Sequence, residues 1–259
     1  MIHPTAIISK GAELDSDVSV GPYCVIEGDV QIGKGTKISS HVVIGSEYGK
    51  VRIGEKNQIY SGAVIGGPPQ DLKYNHEPTR LEIGHNNVIR EFVTLNIGTH
   101  GGGGQTTIGS NNLLMAYVHV AHDCHLGSHI VIANTTNLAG HVNIDDHVRI
   151  GGVCSFNQFV RVGRYAYIAG TSAVNKDILP FSIAQGSYAA ARATNKIGLE
   201  RSGFSVEDVE NIHRAIRAII MGNRTIDEAL ELIQTDCATT DHVRYFVDFV
   251  KTSERGIAR

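Results

Sequence analysis

The sequence predicts a mainly β protein: a three-sided parallel β-helix over residues 1–186, then a small C-terminal α-helical domain over 187–259. Three observations carry this. Aliphatic residues return every six positions, at Ile2, Ile8, Leu14, Val20, Ile26, Ile32, Ile38 and Ile44, then at Ile53, Ile59 and Ile65, at Ile83, Ile89 and Leu95, and unbroken from Ile108 to Val174. A helix would give spacings of three and four, and a lone strand a spacing of two, so this beat means a short strand plus a tight corner. A small or β-branched residue stands four places after many of them, as at Val18, Cys24, Val30, Thr36, Cys124, Thr136 and Cys154. Two inward positions per side fill a narrow prism, and three sides close one coil of 18 residues. Stacked coils then pair as parallel strands about 4.8 Å apart. After Pro180 the beat stops and a helical period replaces it.

Each corner needs residues that tolerate unusual backbone angles. The residue after the aliphatic one is often Gly, as at Gly21, Gly33, Gly109 and Gly127, and is read as supplying them. The beat is interrupted after Ile44, after Ile65 and after Leu95, with the larger loops near 67–82 and 97–107. Insertions leave a solenoid as loops, often on its binding side. The run Gly101 to Gly104 reads as a flexible loop; a phosphate cradle is the alternative, but no Lys-Ser or Lys-Thr follows it. Gly28 to Lys34 has the spacing of a phosphate loop, but Gly35 follows and the match lies within regular coils.

In the tail, Ser205 and Asp208 resemble a capping box, followed by Val209, Ile212, Ile216 and Ile219 on one helix face with Gly222 as the stop. Thr225 and Glu228 open a second helix, Val243 to Val250 suggest a third, and an earlier one is expected over Arg192 to Arg201. This unit also covers the open end of the prism, as a solenoid requires.

Composition excludes several classes. A net charge of −3 without a basic patch argues against nucleic acid. No apolar run is long enough to span a bilayer, and Met-Ile-His-Pro is no signal region, so a cytoplasmic protein without stable membrane insertion is expected. Cys24, Cys124 and Cys154 fall on inward positions and read as small core residues.

Histidines cluster at His119, His122, His125 and His141. Eighteen residues after His122 comes Gly140, and eighteen later Gln158, so His122, Gly140, His141, Asn157 and Gln158 should form one stripe at a corner. Asp123 adjoins His122 and could orient its ring. A histidine beside a carboxylate suits a general base, and a glycine N–H on the next coil suits an oxyanion donor. Together they fit acyl transfer by direct attack of a hydroxyl or amine. The bland alternative is polar surface on a solenoid corner.

Gln70-Asp71-Leu72-Lys73-Tyr74, Ala121-His122-Asp123-Cys124, Leu138-Ala139-Gly140-His141-Val142, Ala184-Gln185-Gly186 and Arg201-Ser202-Gly203-Phe204 resemble the acyl-ACP:UDP-N-acetylglucosamine O-acyltransferase family of lipid A synthesis, over essentially the whole chain. The resemblance implies a left-handed hexapeptide-repeat β-helix and a homotrimer with sites between subunits. It implies transfer of a 3-hydroxyacyl chain from acyl carrier protein to the glucosamine 3-hydroxyl of UDP-N-acetylglucosamine. No metal or cofactor is implied beyond the carrier's phosphopantetheine. It puts the base on His122, its carboxylate on Asp123 and the oxyanion donor on Gly140. Gln70, Asp71, Lys73, His119, His141, Asn157, Gln158, Asn195 and Arg201 match substrate positions, and Gly170 the position that sets acyl length. Asn157, Ser202 and Tyr188 depart from the family's usual residues. Those departures leave open an N-acyltransferase acting on a 3-amino sugar nucleotide. Another class, a γ-carbonic-anhydrase-like zinc enzyme, would use His119, His122 and His125 as ligands. Arg192, Lys196 and Arg201 would face the acidic carrier or a phosphate, or form a solvated helix face.

Overall fold

The computed structural model describes residues 1–259. Short parallel strands wind around three faces, and each strand pairs with the third one along. Face I runs from Ile7–Ile8 through Thr94–Asn96, His119–Val120, Asn137–Leu138 and Ser155–Phe156 to Ala173–Val174. Face II runs from Ala12–Leu14 through Gln105–Ile108 and His125–Leu126 to Arg161–Val162, and face III from Ser19–Val20 to Tyr167–Ile168. The register is the 18-residue ruler: Val120 pairs with Leu138, Leu138 with Phe156 and Phe156 with Val174. Both inward positions of each side are buried, as Val118, Val120, Cys124, Leu126, Ile130 and Ile132 show around one coil.

The corners follow a rule different from the expected one. The glycine after the aliphatic residue does not supply left-handed backbone at most corners. It lets the coils approach: a Cβ on Gly109 would lie 2.5 Å from the carbonyl oxygen of Gly127. The left-handed residue comes two places later and is usually not glycine, as at Tyr117 (φ 63), Asp123 (φ 59), Thr135 (φ 63) and His141 (φ 64). Each such residue costs about 1 kcal/mol or more of local strain. Stacking between corner side chains on successive coils offsets it, as where His141 lies on Phe159 with ring centroids 4.3 Å apart.

Face III continues through Ser182–Gly186 into an antiparallel partner, Ala189–Thr194. The helix expected from Arg192 therefore starts at Lys196, because the chain up to Thr194 is still hydrogen-bonded to the sheet. Four helices follow: α1 (Lys196–Arg201), α2 (Val206–Ile220), α3 (Ile226–Asp236) and α4 (Asp241–Lys251). Ser205 caps α2 by accepting from Asp208 N–H, and Thr225 with Glu228 forms a reciprocal capping box on α3. Their apolar faces, including Ile212, Ile216, Ile219, Ile233, Phe246 and Val250, close around Leu179 and Phe181 from the end of the coil. Beyond α4 the chain returns to the last turn, where Ala258 N–H donates to the Asp177 carbonyl at 2.9 Å. Lys196 forms an ion pair with Glu210 at 2.8 Å, so its charge is already partnered. No helix is long and apolar enough to cross a membrane.

Candidate active site

The corner joining faces I and II brings His122, Asp123, Gly140 and His141 together. Val120 and Cys124 point inward and are buried, which turns the two residues between Ala121 and Cys124 outward, away from the prism. Those residues are His122 and Asp123. Asp123 takes the left-handed position, and its N–H donates to Thr106 Oγ1 at 2.8 Å. Its carboxylate is enclosed, with no side-chain surface exposed. His122 Nδ1 lies 2.7 Å from Asp123 Oδ2. Thr99 donates twice to the same carboxylate, from its backbone N–H to Oδ1 at 2.8 Å and from its hydroxyl to Oδ2 at 2.7 Å. Burial pushes the Asp123 pKa up, but the bonds from His122 and Thr99 outweigh it and hold the group below the usual carboxylate range. An ionised carboxylate only accepts, so His122 carries its proton on Nδ1 and leaves Nε2 free to take one.

Gly140 lies against that ring. A Cβ there would sit 2.5 Å from His122 Cε1 and 2.8 Å from Nε2, so only glycine fits. The register is held by His141 N–H, which donates to the His122 carbonyl at 3.1 Å. Gly140 N–H finds no acceptor within the chain and is free for a ligand. His141 stands perpendicular to His122, its Nε2 3.8 Å from Asp123 Oδ2, and burial lowers its pKa. His119 shares a hydrogen bond of 2.7 Å with Thr94 Oγ1, and burial, then the charge of His122, lowers its pKa. Both rings are therefore neutral near neutral pH. Asn157 and Gln158 are exposed at the same corner one coil on.

The loop bearing Gln70, Asp71 and Lys73 is near enough for the Asp71 charge to act on His141. Lys73 N–H donates to Asp71 Oδ1 at 2.9 Å, which folds the loop tip on itself. The remaining expected residues stand at other edges of the same chain. Gly170 is at the corner between faces III and I, where a Cβ would lie 3.2 Å from the Gly152 carbonyl. Asn195 caps α1, accepting from Gly198 N–H at 3.2 Å, and donates to the Tyr165 carbonyl at 3.0 Å, at the corner between faces II and III. Arg201 closes that helix.

Within one chain, His119, His122 and His125 do not form a ligand cluster. His119 is tied to Thr94 on face I and His125 to Thr107 on face II, so they do not converge with His122. His122, Asp123 and His141 do bring one ligand atom each within 4.8 Å of one another. Yet Asp123 Oδ2 already accepts two hydrogen bonds of 2.7 Å, which a metal would have to displace.

Sequence reasoning did not find Thr99, Gly102 or Thr106. Gly102, in the run expected to be a flexible loop, packs on the Asp123 carboxylate so closely that a Cβ would be 2.1 Å from its Cγ. The one available signal was that the insertion leaves the coil at the same corner as His122.

Comparison with known proteins shows the class and the family. A family described as bacterial transferase hexapeptide repeats matches residues 11–46 and 105–140, which defines the class: a hexapeptide-repeat transferase built on a left-handed parallel β-helix. The second domain of UDP N-acetylglucosamine O-acyltransferases matches residues 177–258. An acyl-[acyl-carrier-protein]--UDP-N-acetylglucosamine O-acyltransferase of Thermodesulfovibrio yellowstonii is 42% identical over 258 residues, covering 100% of this chain and 99% of the relative. LpxA of Acinetobacter baumannii superposes with a TM-score of 0.96 at 42% identity, covering 100% of this chain and 99% of that one. The UDP-N-acetylglucosamine acyltransferase of Arabidopsis gives 0.86 at 32% identity, with both chains covered at 100%. The chain belongs to the acyl-[acyl-carrier-protein]--UDP-N-acetylglucosamine O-acyltransferase family, and it is an acyltransferase.

Proposed function

We propose that this chain transfers a 3-hydroxyacyl group from acyl carrier protein to the glucosamine 3-hydroxyl of UDP-N-acetylglucosamine, the first step of lipid A biosynthesis. The observation that carries the reading is the His122 ring, bonded through Nδ1 to Asp123 and lying with its Nε2 edge on Gly140. Nε2 removes the proton of the sugar hydroxyl as that oxygen attacks the thioester carbonyl. The carbonyl oxygen gains the negative charge and accepts from Gly140 N–H. Collapse breaks the carbon–sulfur bond, and the departing phosphopantetheine sulfur takes the proton held on His122. A positioned base contributes on the order of 10²–10⁴ in rate. One oxyanion donor contributes on the order of 10²–10³.

No cofactor of the protein enters these steps, since the phosphopantetheine arrives on the carrier. His119, His141, Asn157 and Gln158 line the corner to hold sugar and pantetheine, with Gln70, Asp71 and Lys73 closing from the loop. Gly170 leaves space along the acyl groove. Asn195 and Arg201 stand at another edge, so they serve a site completed by a second copy of the chain in a homotrimer working in the cytoplasm. The test presents UDP-N-acetylglucosamine and its 3-amino analogue to the protein with a series of 3-hydroxyacyl carrier proteins. Ester formation on the hydroxyl sugar is expected, and transfer only to the amino analogue would overturn the acceptor assignment.

A further inference from the structure

We infer that Thr99 is a positioning residue for the acyl transfer: through its two bonds to Asp123, clamped by Gly102, it fixes the ring orientation and tautomer of His122. The inference rests on His122 acting as the base. It extends the His122–Asp123 pair by a third member from a different coil.

A buried carboxylate needs its lone pairs met and its plane held. Asp123 is shut off from water, so an unmet oxygen lone pair or a rotating carboxylate would cost free energy and blur the aim of the imidazole. It accepts three side-chain-directed bonds of 2.8 Å or shorter, and Thr99 supplies two of them. The two grip different oxygens, Oδ1 and Oδ2, so together they fix the carboxylate plane. A single bond from His122 would leave that plane free to turn.

The Thr99 hydroxyl is itself locked. It accepts from Gly102 N–H at 3.1 Å while it donates to Asp123, so its proton has one direction to point. Gly102 follows from this arrangement, because its Cα rests on the carboxylate and a Cβ would lie 2.1 to 2.4 Å from Cγ and both oxygens. A Cβ on Gly101, Gly103 or Gly104 would meet nothing within 4 Å, so of the four only Gly102 lacks room for a side chain. The turn is anchored in turn to the substrate loop. His100 N–H donates to Glu77 Oε1 at 3.1 Å, and Asn75 N–H donates to Glu77 Oε2 at 2.8 Å. Glu77 thus ties the loop carrying Gln70, Asp71 and Lys73 to the turn that holds Asp123, which links the seating of substrate to the alignment of the base.

The test compares Thr99→Val, Thr99→Ser and Gly102→Ala with the parent protein in two measurements. The first is steady-state transfer against pH. Thr99→Val keeps the shape and the backbone bond but loses the hydroxyl donor, so kcat should fall on the order of tenfold with KM nearly unchanged. The acid limb of the profile should move to lower pH, because a carboxylate free to turn holds the protonated imidazole less well. Thr99→Ser should restore both values. Gly102→Ala should cost more than Thr99→Val, since its methyl group displaces the turn. The second measurement is the ¹⁵N resonance pair of the His122 ring in the substrate-free protein. Parent and Thr99→Ser should show one Nδ1-protonated tautomer, and Thr99→Val a mixture. Thr99→Val with unchanged kcat, pH profile and tautomer would overturn the inference. The ring resonances need no substrate, so they test Thr99 even where the proposed acceptor fails.

Discussion

Two consecutive corners between faces I and II are built differently. The corner at His122 keeps the beat, with six positions from Val120 to Leu126 and both ends buried in the prism. The corner one coil earlier spends thirteen positions from Leu95 to Ile108 where six suffice. The regular corner is placed by the core, since Val120 and Cys124 cannot leave it without opening a cavity, and it sets His122 and Gly140 in fixed register. The irregular corner is anchored in the core by Ile97 and beyond it by polar contacts, which bring Thr99 and Gly102 to the carboxylate. Damage to the inward residues of the regular wall should show in stability, and damage to its outward pair or to the irregular corner mainly in chemistry.

The largest effect should come from the regular corner itself. His122→Ala is expected to lower kcat by about 10²–10⁴, with an unfolding midpoint close to the parent's by calorimetry. Unfolding on that substitution would mean the ring is structural. Gly140→Ala should follow, because its methyl group meets the ring at 2.5 Å and pushes Nε2 off line. A loss of about 10² is in keeping with an ångström of misplacement, and a crystal structure of the variant should show the ring displaced. Leu138 pairs with Val120 and is fully buried, so Leu138→Ala should cost about 2–5 kcal/mol of stability. Activity measured well below the new midpoint should stay near normal, which would separate wall from site.

The pH dependence is gentler. The folded-state pKa of Asp123 is depressed, so its contribution to stability is complete above the ordinary carboxylate value of about 3.9 and is lost as pH falls through the lower folded value. The stability gap between the parent and Asp123→Asn should be constant from neutral pH down to about 4 and narrow below it, as acid unfolding series would show. The smallest effect belongs to the tail. Lys196→Ala removes a half-exposed ion pair with Glu210 and should cost at most about 0.5 kcal/mol.

The same division explains what the sequence made legible. Inward residues such as Val118 and Cys124 repeat, and a repeat fixes register, so Gly140 could be placed beside His122 by counting. Corner glycines were visible but their reason was not, because close approach of one coil to the next is a property of the stack and not of the local chain. The helix start was misjudged at Arg192 because the sheet adds a last antiparallel strand, Ala189–Thr194, whose Ala-rich sequence suits a helix equally well. Thr99, Gly102 and Glu77 lie in insertions, where no period says which residue meets which, so neither the contacts of Thr99 and Gly102 with the carboxylate nor the bond from His100 to Glu77 could be counted out.

The measurement that tests this account most directly is a double-mutant cycle in kcat between Thr99→Val and Asp123→Asn. If Thr99 acts through the carboxylate, the threonine substitution should cost on the order of tenfold in the parent and almost nothing once Asp123 is Asn. An equal loss in both backgrounds would contradict it, and would mean that the irregular corner touches the reaction by a route that does not pass through Asp123.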